Sequence, residues 1–366
     1  MDAVLTAMVE DKIGPGERAR LLIQIAKEHL RFDYALTLRS PATALHLALK
    51  ALNLEPGQGV LVSALSPRYY FQVIQDMHLT PLFCDVTFDF PCMNRETIEK
   101  ALAEKPEGIE ARCVALHHTL GFRPDAASIA ELGLPVIEDI SQSYGPFTAS
   151  AEGTGAEGTT AGAEGTAVGA AAGSADAGET GAGSASAAKL HGVFTILGLE
   201  ERDMLTSGGG ALLFAMNRRD GSVLRNFADI PGEYCLPDIN AAMATVQFKE
   251  TSRNMERRGE IARVYTQSSL RTKHKRFITS AEGEYNNYAF PLVLETGLKD
   301  VVAYARKKEI SVESAFEHSL AGAGMSDSTR CPAAYSLSLR TVLFPLYPRL
   351  RSQEVERVSK LIMTLP

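Results

Sequence analysis

The feature that most constrains the fold is a series of short apolar runs that alternate with helix-like segments. Each run has five to seven residues, the usual length of a strand. Between residues 34 and 140 they read YALTL, GVLVSAL, PLFCDV, RCVALHH and PVIEDI. Segments 42–52 and 95–102 place apolar residues at helical spacing. Buried strands alternating with helices predict right-handed βαβ units and a mostly parallel sheet, whose ligands bind beyond the carboxyl ends of the strands.

Residues 148–188 interrupt this pattern. They are almost entirely Ala, Gly, Ser, Thr and Glu, and the tetrad Ala-Glu-Gly-Thr begins at positions 151, 156 and 163. Few large apolar side chains are present whose burial would offset the ordering entropy of the chain. We therefore predict a disordered low-complexity insert, and we favour a tolerated expansion of a surface loop over a lid.

The pattern resumes after the insert. GVFTILGL and GGGALLFAM have the texture of strands, and residues 238–267 predict a long helix. A strand at AFPLVLE and helices at 298–308 and 352–363 follow. We predict a large domain over residues 1–250 and a small C-terminal domain over 251–366.

Composition excludes several classes of function. The formal net charge is −7, which argues against a nucleic-acid surface. No apolar stretch has the length of a membrane span, and the N-terminal residues lack the pattern of a secretory signal. The five cysteines are scattered without a CxxC pair, so we expect buried thiols in the cytoplasm and no metal site.

Six segments, taken in order, resemble one enzyme family. The most specific is LPVIEDISQSYG at 134–145. The others are SPATALHLAL at 40–49, LEPGQGVLV at 54–62, LTSGGGA at 205–211, RRGEIARVY at 257–265, and CPAAY with LFPLYP near the end. Together they resemble the DegT/StrS family of nucleotide-sugar aminotransferases.

This resemblance implies an α/β architecture, the fold type I of pyridoxal-phosphate enzymes. We therefore expect a mostly parallel seven-stranded sheet between helices, a small α+β domain at the C-terminus, and a homodimer. It also implies transfer of an amino group from glutamate to a keto-sugar nucleotide. By family position Asp139 would bind the ring nitrogen of the cofactor and Gln142 its hydroxyl. His118 lies near a family histidine, although a structural role is at least as well supported.

The same resemblance exposes a missing lysine. The family carries its Schiff-base lysine between the strand at 192–199 and the glycine-rich turn, but no lysine occurs between Lys189 and Lys249. Counted from the strand, Glu200 takes the lysine position; counted back from the turn, Arg202 or Asp203 does. Arginine stays protonated and is not a usable amine nucleophile. We predict that no Schiff base forms.

Other parts of the family's cofactor site are also altered. Ser40 and Ala42 mark the remnant phosphate cup, where Pro41 removes an N–H donor and Ala42 removes a hydroxyl. Ser40 with Pro41 also predicts an ordinary helix start. Pro67 takes the place of the aromatic residue that would cover the ring. Tyr69 and Tyr70 follow, and in this register we expect them to point elsewhere.

Near residue 233 the family has an asparagine that reaches the phosphate from the partner subunit, whereas this chain has Glu233. A carboxylate about 4 Å from a phosphate would be repelled by roughly 4 kcal/mol at an effective dielectric constant of 20. The leading interpretation is therefore a homodimeric pseudoenzyme linked to polysaccharide or amino-sugar biosynthesis. The alternatives are a working transaminase and a non-catalytic dimer that binds a sugar nucleotide.

Overall fold

The computed structural model describes residues 2–10, 13–30, 32–145, 190–227, 229–279 and 285–366. The predicted insert at 148–188 lies outside these ranges.

A seven-stranded sheet forms the centre of the molecule, in the order β1-β7-β6-β5-β4-β2-β3. Its strands are β1 (Tyr34–Leu38), β2 (Gly59–Ser63), β3 (Thr80–Cys84), β4 (Ala111–His117), β5 (Val136–Asp139), β6 (Phe194–Gly198) and β7 (Ala211–Ala215). Only β7 runs antiparallel to its neighbours. The predicted sheet is confirmed, and each of its strands falls on an apolar run of the sequence.

Eleven helices are present among the described residues. They are α1 (Asp2–Val9), α2 (Glu17–Leu30), α3 (Pro41–Ala51), α4 (Tyr69–Asp76), α5 (Arg95–Ala103), α6 (Ala126–Ala130), α7 (Arg218–Arg225), α8 (Asp238–Ser269), α9 (Leu298–Lys307), α10 (Pro332–Arg340) and α11 (Ser352–Met363). Short 3₁₀ turns occupy Thr119–Gly121 and Gly232–Tyr234.

Helices cover both faces of the large sheet, and this explains why its strands are apolar along their whole length. On β2, Val60 and Val62 join one buried cluster with residues of α3 and α4, whereas Leu61 joins another with residues of α5 and α6. On β7, Leu212 packs on the face covered by α2 and α8. Alternate residues therefore pack in different cores, as the two-residue period of a strand requires.

The C-terminal third forms a second, antiparallel sheet in the order β8-β10-β9. Its strands are β8 (Phe290–Val293), β9 (Glu313–Ser314) and β10 (Thr341–Phe344). Helices α9 and α11 pack over it around a buried cluster that includes Phe290, Val301 and Val358. Helix α8 runs unbroken through residue 250, and the division into two domains at that residue stays a prediction.

The large sheet determines where the functional residues lie. His117 at the end of β4 is the register partner of Asp139 at the end of β5, and Asp139 is in turn the partner of Ile196 in β6. The carboxyl ends of these three parallel strands therefore meet at one edge, where the sequence predicts the ligand site.

Candidate functional site

Asp139 is completely buried at the end of β5, and its carboxylate accepts four hydrogen bonds from the chain itself. Oδ2 accepts from the hydroxyls of Tyr69 and Tyr70, each at 2.8 Å. Oδ1 accepts from the backbone N–H of Ser141 at 3.0 Å and from the Ser141 hydroxyl. A carboxylate offers about four lone-pair positions, so its acceptor capacity is filled.

His117 adds a further contact from the neighbouring strand. Its Nδ1 lies 3.5 Å from Asp139 Oδ2, and both side chains are buried. Burial alone would raise the pKa of Asp139, but His117 and the hydrogen bonds from Ser141 outweigh it and hold that pKa well below its usual range. The carboxylate therefore stays ionised, which matches a site surrounded by donors.

The expectation that Tyr69 and Tyr70 point elsewhere is wrong. Both residues belong to α4, a helix that the sequence analysis did not predict, and α4 turns both hydroxyls toward Asp139. Their rings lie against each other, with centroids 4.9 Å apart. Burial and the nearby Asp139 charge raise the pKa of both hydroxyls well above 10, so they remain neutral donors.

The position expected for the lysine is a turn that directly follows β6. Glu200 donates its backbone N–H to Asp203 Oδ2 at 2.8 Å, and the Glu200 carboxylate accepts from the N–H of Gly210 at 3.3 Å. Arg202 forms an exposed ion pair with Glu313 at 3.1 Å. Of the three candidates, Asp203 is the one whose side chain turns back toward the Asp139 site.

Gly198 makes room for this arrangement. A Cβ at this position would overlap Asp203 Oδ2 and come within 2.8 Å of Ser141 Oγ. Ser141 Oγ accepts from the Gly198 N–H at 2.7 Å and donates to Asp139. Burial, followed by the charge of Asp139, raises the pKa of Asp203 to about 8. Near neutral pH the Asp203 side chain is therefore mostly a protonated carboxyl group.

Gln142 accepts two hydrogen bonds. Its side-chain amide oxygen accepts from the backbone N–H of Leu120 at 2.7 Å, and its backbone carbonyl oxygen accepts from the side-chain amide of Asn286 at 2.8 Å. Leu120 has a left-handed backbone with φ of 54°. This hydrogen bond therefore stabilises a turn that few non-glycine residues adopt.

His118 is fully buried and belongs to a second polar cluster. Its Nδ1 lies 2.7 Å from Ser143 Oγ, and its Nε2 lies 3.4 Å from Glu138 Oε2. Burial lowers the pKa of His118, which favours the neutral ring. These contacts are typical of a histidine with a structural role.

Ser40 and Ala42 lie at the start of α3. Ser40 Oγ accepts from the N–H of Thr43 at 3.2 Å and lies 3.0 Å from the Thr43 hydroxyl, while Pro41 occupies the first turn. The predicted helix start is present as described. Pro67 pairs with Ser319 through an isolated bridge. Glu233 lies exposed in the 3₁₀ turn before α8.

A cleft of about 520 Å³ opens beside Asp203, between the large sheet and the C-terminal third. Its walls combine Tyr288 and Tyr347 with apolar side chains of β10 and with charged residues of both signs, which are Arg202, Arg258, Arg357, Glu201, Glu309, Glu313 and Glu354. Within the described ranges, no group of three His, Cys, Asp or Glu side chains is placed to bind a metal ion. No helix there is long and apolar enough to cross a membrane.

A family model describes the sequence on either side of this site. The DegT/DnrJ/EryC1/StrS aminotransferase family matches residues 1–168 and 215–363. The chain belongs to this family. The unmatched interval, 169–214, contains β6 and the turn that carries Asp203.

A similar curated relative is a UDP-N-acetyl-3-dehydro-alpha-D-glucosamine 3-aminotransferase of Acidithiobacillus ferrooxidans. It is 23% identical over 334 residues, covering 88% of this chain and 82% of the relative. An L-glutamine:2-deoxy-scyllo-inosose aminotransferase of Streptomyces lividus is 26% identical over 261 residues, covering 65% and 53%.

Solved structures share the fold at low identity. A DegT DnrJ EryC1 StrS aminotransferase from Brucella abortus superposes with a TM-score of 0.79 at 17% identity, covering 99% of this chain and 93% of that one. A GDP-4-keto-6-deoxy-D-mannose-3-dehydratase of E. coli, solved with hydrated pyridoxal phosphate, gives 0.75 at 14% identity, covering 99% and 95%. The expected fold type I is confirmed.

The residues at the site do not fit pyridoxal phosphate as that cofactor requires. The pyridine nitrogen needs a carboxylate acceptor, yet the acceptor positions of Asp139 are filled by Tyr69, Tyr70 and Ser141. The sequence singled out Asp139, and offered Asp203 as one of three alternatives with Glu200 and Arg202, but did not indicate His117 or Ser141. Both could have been found from their sequence neighbours, because His117 precedes His118 and Ser141 precedes Gln142.

Proposed function

We propose that the chain is a non-catalytic member of the DegT/StrS family, a pseudoenzyme that forms no internal Schiff base. One observation carries the proposal. The turn after β6 presents Asp203 to the Asp139 site, and no lysine lies between residues 189 and 249. A carboxyl group cannot condense with an aldehyde to give an imine, and an arginine is not a usable amine nucleophile.

The test is borohydride trapping. The purified protein is incubated with pyridoxal phosphate, reduced, digested and mapped by mass spectrometry. We expect only scattered labelling of surface lysines, far below one equivalent and equal in the wild type and in Asp139→Asn. One equivalent on a single lysine, lost in Asp139→Asn, would contradict the proposal. So would formation of 2-oxoglutarate from glutamate with a keto-sugar nucleotide.

A second candidate function is binding of a sugar nucleotide without turnover. The cleft beside Asp203 supports it, because its volume of about 520 Å³ suits a small ligand and Tyr347, 47% exposed, offers an aromatic face. Titration calorimetry with UDP-N-acetylglucosamine tests this. We expect saturable binding that weakens about tenfold in Tyr347→Ala. Tyr335→Ala, which removes another exposed tyrosine outside the cleft, serves as the control.

A homodimer, and a role in polysaccharide or amino-sugar biosynthesis in the cytoplasm, complete the proposal. Leu22 of α2 and Phe248 of α8 pack in the protomer's own core, whereas Leu21 of α2 is 49% exposed and available to a second copy of the chain. Leu5 and Met8 of α1 are also exposed. Light scattering should give twice the chain mass of 39.5 kDa. We expect Leu21→Asp to weaken the dimer. Val302→Asp, on the exposed face of α9, should leave it intact.

A further inference from the structure

Two of the side chains that face Asp139, Tyr69 and Tyr70, share one chemical feature with the ring of pyridoxal phosphate. Each is an aromatic ring that carries a hydrogen-bond donor at its edge. In Tyr69 and Tyr70 the donor is the phenol hydroxyl, and both hydroxyls reach Asp139 Oδ2 at 2.8 Å. A pyridinium N–H would need a lone pair of the same carboxylate.

We propose that Tyr69 and Tyr70 replace the cofactor ring inside this chain, so that Asp139 serves as an internal acceptor and the protein folds without pyridoxal phosphate. This inference concerns non-covalent recognition, and it goes beyond the absence of a Schiff-base lysine. A chain without that lysine could still hold the cofactor at a free aspartate.

The packing of α4 fixes this arrangement. Tyr70 is 1% exposed and belongs to the buried cluster that also contains Val73 and Ile74, one turn further along the same helix. Its ring meets the edge of His117, with centroids 6.0 Å apart. Tyr69 is only half-buried and packs against Tyr70 from outside. Tyr70 is thus held by the buried core, and Tyr69 is held by its contact with Tyr70.

The hydrogen bonds to Asp139 also explain why this buried site is stable without a ligand. A buried carboxylate without partners would cost several kcal/mol. Here four donors and the nearby His117 ring meet it, all from described residues of the chain. No ligand is needed to complete the set.

The first experiment measures binding of pyridoxamine phosphate by equilibrium dialysis. This probe has the cofactor's ring and phosphate but no aldehyde, so it cannot label surface lysines. We expect no binding to the wild type up to about 1 mM. Saturable binding at one site, lost in Asp139→Asn, would overturn the inference.

The second experiment is a double-mutant cycle between the tyrosines and Asp139, read by urea unfolding. We expect Tyr70→Phe to lower the folding equilibrium constant about tenfold, because a hydrogen bond to a charged acceptor is lost. In an Asp139→Asn background the same change should cost less than about threefold. Tyr69→Phe should behave alike with a smaller effect.

Tyr304→Phe is the matched control, since it removes an exposed hydroxyl that bonds only to Thr364 among the described contacts. It should cost less than about threefold in both backgrounds. Equal losses from Tyr70→Phe with and without the Asp139 carboxylate would overturn the inference.

The two proposals fail in different ways. Non-covalent binding of pyridoxamine phosphate without any trapped lysine would remove this inference and leave the proposed function standing. A stoichiometric borohydride adduct would contradict the proposed function, whatever the cycle shows.

Discussion

Two neighbouring carboxylates on β5 are both buried, and different sets of hydrogen-bond donors stabilise them. Glu138 and Asp139 are both buried, and strand alternation sends them to opposite faces of the sheet. Each lies beside a histidine that follows or ends β4, His118 for Glu138 and His117 for Asp139. Both carboxyl groups have a lowered pKa despite their burial.

The donors differ in origin. Glu138 Oε1 accepts from the backbone N–H groups of His191 and Gly192, where the chain enters β6, and Arg123 adds a positive charge nearby. Three of the four donors to Asp139 are instead side-chain hydroxyls, those of Tyr69, Tyr70 and Ser141, and the fourth is the backbone N–H of Ser141. Backbone donors are available at every residue except proline, whereas hydroxyl donors must be encoded by side chains.

The difference shows which carboxylate is tied to a specific sequence. Glu138 fastens a chain segment through two backbone donors, although a Cβ at Gly192 would come within 2.8 Å of the Phe194 carbonyl oxygen, so that position is restricted to glycine. The sequence predicts that Asp139 has the family position of a cofactor ligand, yet donors within the chain, mostly side-chain hydroxyls, fill its acceptor positions. The contacts of Glu138 are a structural feature of the sheet, whereas the contacts of Asp139 depend on side chains that are particular to this sequence.

Glu138→Ala should give the largest effect. It leaves two backbone donors, His118 and Arg123 around a buried space, so we expect a loss of about 3–5 kcal/mol in the free energy of unfolding. Urea denaturation measures it. Glu131→Ala, which breaks only the exposed pair with Arg95, should cost less than about 1 kcal/mol. Similar losses from the two variants would mean that Glu138 does not fasten this segment.

Asp139→Asn keeps the shape of the side chain but removes its charge, and we expect a loss of about 2–3 kcal/mol near pH 7. The folded-state pKa of Asp139 is lowered, so its contribution is present above the unfolded value of about 4 and is lost as pH falls through the folded value. As pH falls from 7 to 3, the gap in unfolding free energy between wild type and variant should therefore stay constant down to about pH 4 and then narrow by about 1 kcal/mol. A gap that stays constant over the whole range would contradict the low pKa.

Gly198→Ala tests the Asp139 side alone. The added methyl group would press on Asp203 and Ser141, and we expect a loss of about 2 kcal/mol from overpacking. Gly232→Ala, where no atom lies within 4 Å of the added group, is the control and should change little. Thermal unfolding of both variants decides whether this side of the site is packed as tightly as described.

Asp203→Asn should have the smallest effect and the opposite sign. The pKa of Asp203 is raised to about 8, so its contribution to stability is present below about pH 4 and is lost as pH rises toward 8. At pH 9 the variant should be more stable than the wild type by about 1 kcal/mol, since the side chain is only partly buried. Exposed Asp229→Asn should show no such gain. A variant less stable at pH 9 would refute the raised pKa.

Much of the fold could be predicted from sequence because its signals are local. Apolar runs of strand length located every strand of the large sheet, and Ser40 with Pro41 located the start of α3. Helix α4 was missed although Tyr70, Val73 and Ile74 have helical spacing, because the segment is short and Arg68 makes no side-chain cap. The wrong orientation of both tyrosines came from the family register, which put Pro67 in the ring-covering position.

The sequence by itself determined the family, the position of Asp139 at the end of a buried strand, and the absence of lysine between residues 189 and 249, where the resemblance places the Schiff-base lysine. Only the tertiary structure decided what Asp139 binds. Its donors are 70 and 69 residues away in Tyr69 and Tyr70, and a hydrogen bond across such a distance depends on the packing of α4. Local patterns fix secondary structure, but the partners of a buried charge are chosen by which elements the core brings together.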